Sequence, residues 1–430
     1  MASRRLVWIR RLALGIVLVS CAEFVIATPG VQIHSMPPRT DFATFYLAGE
    51  MARDHQSPYD WPDLVRRGHA LGFAHDQYPY LYLPPFAMAM QPFTRLPFVR
   101  ARQVWMVVTT VVLMLAVVAS AFLVQSQVTA LGIVQPVFSW ILLAAFVPAA
   151  LNSASVHSDI RLGSVGAWLW LAMAAAAWGL LRGRQVVVGA AIALATLVKL
   201  TPVVLVAWVW WRGARRAAAV AAGLLALSIV PAIVHWGPGI LLDNWQNGLL
   251  PTLRAQIGWT INQSLDAYLL RLFDPSATVA DPKDAVWMKT LLSSVLALVV
   301  VVATLRVLTQ RPRSKALLPL ELGYVLLAIL ILMKVTWVHT LTTMLVVWPI
   351  LLAVVVRAAE KGAPWAVRAG VLGSAGFFLS SAHIPVLWSE KLHHYPWILL
   401  TGVHLLGIVV LWATVGSVLR RSAPLQPVLD

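Results

Sequence analysis

An aspartate early in the chain, Asp41, is the side chain best placed to do chemistry. It follows the first apolar segment, 6–27, and opens the segment 41–49, which includes Tyr46. A carboxylate at the mouth of a membrane protein can accept a proton from a sugar hydroxyl and so act as a general base. Position alone also fits a solvated charge or a helix N-cap. The role of Asp41 therefore has to be judged from the other polar side chains and the overall composition.

Further polar side chains fall in or beside apolar segments, where ionisable groups are costly and usually functional. With Asp41, the set is Tyr46, Glu50, Asp159, Arg161, Lys199, Arg254, Asn262, Gln263, Asp266, Arg271, Lys334 and His339. Within it, Tyr46, Asn262 and Gln263 could hydrogen-bond a sugar or an acceptor. The alternative for the polar run at 262–264 is to cap the helix that follows.

Four cations of this set could bind a phosphate, because positive charge stabilises the charge that develops on a departing phosphate group. They are Lys199, Arg254, Lys334 and His339. Lys199 could alternatively extend to a membrane interface, and Arg254 and Lys334 could be ordinary membrane anchors. The histidine starts an apolar segment, where it either hydrogen-bonds the helix end or binds a phosphate or hydroxyl.

The composition places these side chains in an integral membrane protein. Of 430 residues, 60% are hydrophobic and 12% are charged, and the mean hydropathy is +0.78. A water-soluble domain needs far less apolar content. Apolar runs long enough to cross about 30 Å of hydrocarbon recur along the whole chain. We expect a single transmembrane domain, 1–430, with two large polar stretches at 29–80 and 237–285.

The positions of the basic residues predict the topology, because short cytoplasmic loops are enriched in Lys and Arg. Basic clusters occur at Arg4/Arg5/Arg10/Arg11, Arg182/Arg184, Arg212/Arg215/Arg216, Arg306/Arg311/Arg313/Lys315, Arg357/Lys361/Arg368 and Arg420/Arg421. If all of them are cytoplasmic, the polar stretches 29–80 and 237–285 face the outside of the cell.

The predicted fold is all-α, a polytopic membrane protein with about 12 transmembrane helices. The predicted spans are 6–27, 103–125, 129–151, 165–181, 186–199, 201–211, 215–236, 286–307, 317–334, 340–357, 366–382 and 397–419. Prolines throughout 81–98 predict a broken helix that lies in the outer interface and does not cross. The pair 186–199 and 201–211 is too short for two ordinary spans. It should form a short helical hairpin with Lys199 at its tip, inside the protein.

The net charge of +16 does not indicate nucleic-acid binding, because nearly all of the excess falls in the predicted cytoplasmic loops. The sequence also lacks a glycine-rich phosphate loop. Cys21 is the only cysteine, which excludes a disulfide framework or a cysteine-rich metal site. We therefore expect no metal site and no required cofactor.

Five motifs, in this order, resemble those of a known family. They are the acidic and aromatic segment 41–60, the aromatic and proline-rich segment 80–97, the run from Gly189 to Lys199 and Pro202, Asn262–Leu265 followed by Arg271, and Trp337–His339 followed by Pro349. The order resembles the superfamily C (GT-C) membrane glycosyltransferases, and specifically family 87. These are polyprenyl-phosphate-dependent mannosyl- and arabinofuranosyltransferases of actinobacterial cell envelopes. A sixth segment departs from the family, because Ser164 and Gly166 replace a glutamine and an asparagine.

The resemblance implies a GT-C fold with outer-face juxtamembrane helices. It implies transfer of one sugar from a polyprenyl-phosphate donor to a glycolipid or lipid-linked glycan acceptor, at the outer face of the bacterial cytoplasmic membrane. Asp41 would be the base, the four cations would bind the donor phosphate, and Tyr82 would contact the sugar or the acceptor. Direct displacement would invert the anomeric centre, so that a β-linked mannosyl donor gives an α-mannoside.

Alternatives remain at this stage. Within the enzyme class, mannose is favoured over arabinofuranose, although both donors present the same polyprenyl phosphate. A flippase for lipid-linked sugars would also need buried cations, but it would show polar residues at both ends of the spans and often repeated halves. A non-catalytic membrane scaffold or polymer-export subunit would not need Asp41.

Overall fold

The structure is a computed structural model that describes residues 2–32, 40–134, 137–274, 279–280, 287–310, 314–383 and 396–422. The predicted all-α class is confirmed for this part of the chain, apart from one antiparallel pair of two-residue strands, β1 (Gln256–Ile257) and β2 (Val279–Ala280). The basic positions Arg311 and Arg313 lie outside the described residues.

Five helices precede the 33-residue helix Phe98–Ala130. They are α1 (Ala2–Ala27), α2 (Pro29–Gln32), α3 (Asp41–Arg53), α4 (Trp61–Ala70) and α5 (Pro84–Met90). α3 begins after Thr40, whose hydroxyl accepts a hydrogen bond from the Ala43 N–H and caps the helix. α5 starts with a proline, has 7 residues and continues as the 3-10 turn Gln91–Arg95. At about 1.5 Å per residue α5 is too short to cross a membrane, as predicted for 81–98.

The central part of the chain forms α6 (Phe98–Ala130), α7 (Phe138–Leu151), α8 (Ala154–Leu162), α9 (Gly166–Leu181), α10 (Gln185–Val198), α11 (Val204–Trp211) and α12 (Arg215–Trp236). α6 is followed by Gly132, whose φ of 63° is left-handed and costs glycine little. The predicted span 129–151 needs correction here. Residues 129 and 130 belong to α6, and the next helix begins only at Phe138.

The last part contains α13 (Gly239–Asp243), α14 (Leu250–Arg254), α15 (Leu265–Phe273), α16 (Trp287–Leu308), α17 (Leu318–Leu332), α18 (Val347–Glu360), α19 (Ala366–Ser381) and α20 (Val403–Arg421). A 3-10 segment, Val338–Met344, lies between α17 and α18. α19 and α20 approach so closely that a Cβ on Gly407 would lie 2.4 Å from the Ser380 nitrogen. Small residues at such crossings are typical of helix packing in membranes.

Six of the described helical segments are long and apolar enough to cross a membrane. They are Phe98–Ala130, Arg215–Trp236, Trp287–Leu308, Lys315–Leu332, Val338–Glu360 and Trp397–Arg421. A seventh results if α7 and α8, which are bent by 46°, count as one span. The chain is a multi-pass membrane protein, and every predicted span overlaps a helix. The total of about 12 crossings stays a prediction.

Basic residues, among them Arg182 and Arg212, lie at one end of the helices, which we call the basic end. There, Arg182 at the end of α9 donates a hydrogen bond to Ser126 Oγ of α6 at 3.0 Å. Arg212 at the end of α11 donates to the Leu308 carbonyl of α16 at 2.6 Å and pairs with buried Glu321 of α17. Basic clusters that are distant in sequence therefore meet at one end, as the topology argument expected.

The short hairpin is formed by α10 and α11. The 14 residues of α10 extend over roughly 21 Å, less than the thickness of the hydrocarbon core. The chain turns at Lys199, which is extended (φ −162°, ψ 124°). Arg182, before α10, and Arg212, after α11, lie at the basic end. The Lys199 ammonium, at the turn between the two helices, donates to Thr340 Oγ1, which follows the opposite end of α17. The hairpin therefore carries its lysine toward the end opposite the basic one.

Candidate active site

Asp41 occupies the first position of α3, at the end opposite the basic end. The next residue, Phe42, packs against Trp105 of α6 with ring centroids 5.9 Å apart. Trp105 in turn donates its indole N–H to the Gly163 carbonyl at 2.7 Å. Gly163 has a left-handed φ of 62°, and a Cβ there would lie 2.9 Å from Phe42 Cβ, so this turn requires glycine. α3, α6 and the turn between α8 and α9 thus fix the backbone of Asp41.

His339 lies beside Asp41, although the two are 298 positions apart in the chain. Its Nε2 is 3.5 Å from Asp41 Oδ2, and the imidazole is buried. Burial raises the pKa of the Asp41 carboxyl above its ordinary value, and the Ser164 hydroxyl and the Lys199 charge offset only part of this increase. A carboxylate with a raised pKa is a better proton acceptor than one in water.

Lys199 is the cation of this cluster. Its ammonium donates to Thr340 Oγ1 at 2.8 Å, and it interacts electrostatically with the carboxylates of Asp41 and Asp159. Thr340 follows His339 directly, so the hairpin tip and the start of the 338–344 turn meet at this point. The structure therefore brings together Asp41, Lys199 and His339 from three separate parts of the chain.

Asp159 of α8 contributes a second carboxylate, which is fully buried. Its Oδ1 accepts the Gly166 N–H at 2.6 Å and its Oδ2 accepts the Ala167 N–H at 2.8 Å, so it caps the start of α9. A Cβ on Gly166 would lie 2.7 Å from Asp159 Oδ1, which excludes a larger residue at that position without rearrangement. Because both oxygens accept main-chain hydrogen bonds, Asp159 is held in place as an anchor for the start of α9.

Tyr82 and Ser164 complete the surroundings of Asp41. The Ser164 side chain is buried and interacts with both Asp41 and Tyr82. The Tyr82 carbonyl accepts a hydrogen bond from the Tyr59 hydroxyl at 2.7 Å, which ties the segment before α5 to the first polar stretch. The structure thus places Tyr82, predicted as a sugar or acceptor contact, at the edge of the Asp41 cluster.

A small cleft opens beside Lys199 between α9, the hairpin tip and α17. Its polar end carries Lys199, Thr340 and Thr343, and most of its remaining wall is apolar, with Leu169, Pro202, Leu326, Ile329, Leu330 and Met333. A cation and hydroxyls at one end of an apolar cleft match a ligand with an anionic head and a hydrocarbon tail.

Asn262 and Gln263 bring the second polar stretch, 237–285, against the segment before His339. The Asn262 side chain donates to the carbonyls of Ile257 and Lys334, and its oxygen accepts the N–H of Thr336 at 2.9 Å. Gln263 Nε2 donates to the carbonyls of Thr260 and Thr401. Both side chains are fully buried. This arrangement favours a structural role for them over the predicted sugar contact.

We expect Asn262→Ala to lower the free energy of unfolding by about 1–3 kcal/mol, because it leaves buried main-chain groups without partners. Donor affinity of the folded protein should not change. Thermal unfolding and donor titration would be measured in detergent, with exposed Asn152→Ala as the control. A loss of donor or acceptor affinity at unchanged stability would instead indicate that Asn262 contacts a ligand.

The same segment is stabilised by charges around Asp266 of α15. Lys289 of α16 donates to Asp266 Oδ1 at 2.5 Å, and Lys334 donates to Oδ2 at 2.6 Å. Burial raises the pKa of Asp266, but the hydrogen bonds and charges of the two lysines outweigh it, and the net pKa is lowered. Lys334, predicted as a phosphate ligand, therefore already has a carboxylate partner. The sequence argument missed Lys289, although a lysine near the start of an apolar helix is a detectable signal.

Three other polar residues lie away from the Asp41 cluster. The Tyr46 hydroxyl, predicted to contact the sugar, donates to the Leu96 carbonyl at 3.0 Å and fixes the turn after α5. Arg254, predicted to bind phosphate, is exposed at the end of α14. Buried Arg271 donates to the carbonyls of Trp259 and Asn262 and holds the second polar stretch together.

The described residues include no group of three or more His, Cys, Asp or Glu side chains that could hold a metal ion.

Comparison with known proteins identifies the family. The sequence model of glycosyltransferase family 87 matches residues 80–333, more than half of the chain. The chain belongs to glycosyltransferase family 87. No curated protein matches it in a sequence comparison. Membership of family 87 makes the protein a glycosyltransferase, with a sugar donor and an acceptor as substrates. The matched region contains Lys199, Tyr82 and Asp159, whereas Asp41 and His339 lie on either side of it.

Proposed function

We propose that this family 87 protein transfers a single sugar, mannose, from a polyprenyl-phosphate donor to a glycolipid or lipid-linked glycan acceptor at the outer face of the bacterial cytoplasmic membrane. The observation that carries the proposal is that a partly accessible carboxylate, Asp41, lies beside His339 and interacts with Lys199, which is at the polar end of an apolar cleft. A transferase needs these three elements together: a base, cations for a departing phosphate and space for a lipid tail.

The donor phosphate would bind between Lys199 and the Thr340 hydroxyl, with the first part of its lipid tail in the cleft. Lys199 is well suited to this role because its compact ammonium is held at the tip of a hairpin inside the protein. Its charge would stabilise the phosphate as the bond to the anomeric carbon breaks. His339 would provide a second hydrogen bond from the same side.

Asp41 would accept the proton of the attacking hydroxyl, and the new glycosidic bond would form as the bond to the phosphate breaks. A covalent glycosyl intermediate would need a second carboxylate free to attack. Asp159 does not provide one, because both of its oxygens accept main-chain hydrogen bonds. We therefore propose direct displacement, which inverts the anomeric centre.

The substrate test is incubation of the purified protein with polyprenyl-phosphate-mannose or polyprenyl-phosphate-arabinofuranose and a membrane lipid extract, followed by mass analysis. We expect a lipid product heavier by one hexose with the mannosyl donor only. A gain of one pentose with the arabinofuranosyl donor would assign the other sugar. Transport of intact donor lipid across vesicles without any product would contradict transfer and support a flippase.

The proposed orientation predicts a labelling pattern. In a Cys21→Ser background, a cysteine at exposed His75, in the first polar stretch, should react with an impermeant thiol reagent in intact cells. A cysteine at exposed Arg184, at the basic end, should react only after the cells are permeabilised. The opposite pattern would place the Asp41 cluster on the cytoplasmic face and exclude an outer-face reaction.

A further inference from the structure

Three aromatic side chains form a row at the end of the molecule that carries Asp41. The ring centroids of Tyr78 and Trp259 are 5.9 Å apart, and those of Trp259 and Trp337 are 5.7 Å apart. At these distances aromatic rings attract each other. We call Tyr78, Trp259 and Trp337 the aromatic row. Its members come from the first polar stretch, from the second polar stretch and from the segment before His339.

Both ends of the aromatic row adjoin elements that position Asp41. The Tyr78 carbonyl accepts a hydrogen bond at 3.0 Å from the hydroxyl of Thr44, which lies about one helical turn after Asp41 in α3. At the other end, Trp337 lies two residues before His339, whose Nε2 is 3.5 Å from Asp41 Oδ2. The aromatic row therefore borders the Asp41 cluster.

Hydrogen bonds to the main chain also fix the two tryptophans of the row. The Trp259 carbonyl accepts the Arg271 guanidinium at 2.9 Å. The Trp337 carbonyl accepts the Thr340 N–H at 2.8 Å, at the start of the 338–344 turn. A surface that is already ordered loses less entropy when a ligand binds to it.

The aromatic row differs from tryptophans that have the exposure of membrane anchors. Trp61, Trp245 and Trp397 are 44%, 48% and 57% exposed, as expected for single side chains at a membrane–water interface. The rings of the aromatic row are partly buried and pack against each other. Their remaining exposed surface is therefore suited to a ligand that borders the Asp41 cluster.

A sugar has the chemistry that fits such a surface. One face of a pyranose ring presents C–H groups with a weak positive charge, and the face of an aromatic ring is negative. The donor tail has its own apolar cleft beside Lys199, which leaves the aromatic row for the other substrate. We propose that the aromatic row binds a sugar ring of the acceptor glycan by stacking. This inference rests on the proposed transfer reaction, and it names the part of the acceptor that the site holds.

The test measures glycan binding without donor, so it does not depend on turnover. Alkaline deacylation of a membrane lipid extract gives soluble glycans, and native mass spectrometry would measure their retention by the protein. We expect Trp259→Ala and Trp337→Ala to bind hexose-containing glycans about tenfold more weakly, because each loses ring contacts. Trp259→Phe keeps a ring and should retain most of the affinity. Trp287→Ala, which removes a 73% exposed tryptophan of α16, should bind like the unmodified protein.

Unchanged glycan binding in both alanine variants would overturn the proposal, and so would a lack of glycan binding by the unmodified protein. Retention of intact glycolipids alone, without the deacylated glycans, would overturn it too, because the aromatic row would then contact acyl chains. Thermal unfolding and donor titration of each variant would show that any loss occurs in folded protein. Failure of the proposed reaction is detected separately, as the absence of a product heavier by one hexose when the mannosyl donor is added.

Discussion

Asp41→Asn should reduce turnover by about 10²-fold or more, because the amide cannot accept the proton of the attacking hydroxyl. The substitution preserves side-chain volume and the fold of α3, whose N-cap is Thr40. Donor affinity should therefore persist, because in the proposed mechanism Lys199, and not Asp41, binds the donor phosphate. Single-turnover sugar transfer and donor titration would separate the two effects.

The pH dependence gives a second signature of the same residue. The base works deprotonated, and burial raises the pKa of Asp41, so turnover should fall as pH decreases, beginning above the ordinary aspartate value of about 3.9. The Ser164 hydroxyl and the charges of Lys199 and Asp159 act on this carboxylate, and His339 lies beside it. Asp76→Asn, which changes an exposed aspartate of the first polar stretch, is the matched control. Near-normal turnover in Asp41→Asn would remove Asp41 from the mechanism.

Lys199→Ala should produce the second large effect. It removes a positive charge from a poorly hydrated position, so donor affinity should fall by about tenfold or more, because hydrogen bonds to charged groups are among the strong ones. The step that releases the lipid phosphate should slow as well. Lys199→Arg should restore only part of the affinity, because a planar guanidinium does not reproduce a compact ammonium.

The control for this series is Lys361→Ala, which changes an exposed lysine at the basic end. Thermal unfolding would confirm that Lys199→Ala is folded, since the change leaves Asp41 and Asp159 without their common cation. Identical donor affinity for the unmodified protein and Lys199→Ala would show that Lys199 has a structural role in the hairpin.

The sequence predicted those features that depend on simple physical signals. Apolar runs predicted the helices, prolines predicted the interruption at 81–98, and the short pair around Lys199 predicted a hairpin that the structure contains. Asp41, Lys199 and His339 were identified because ionisable groups beside apolar segments are costly. The sequence therefore indicated which side chains to consider, and the structure showed which of them meet.

Other residues could not be assigned from sequence, because their roles depend on partners distant in the chain. Asn262 looks like a ligand-binding amide until its main-chain partners at Ile257 and Thr336 are known. Lys334 looks like a free cation until Asp266 is placed beside it.

The most direct test of the central claim is a structure of the protein bound to a non-transferable polyprenyl-phosphate-sugar analogue. We expect the phosphate oxygens to lie within about 4 Å of the Lys199 ammonium, the distance of an ion pair, with the tail in the cleft beside Leu330. The anomeric carbon should then face Asp41, with space for an acceptor hydroxyl between them. A phosphate bound elsewhere, with Asp41 far from the sugar, would contradict the assignment of this site.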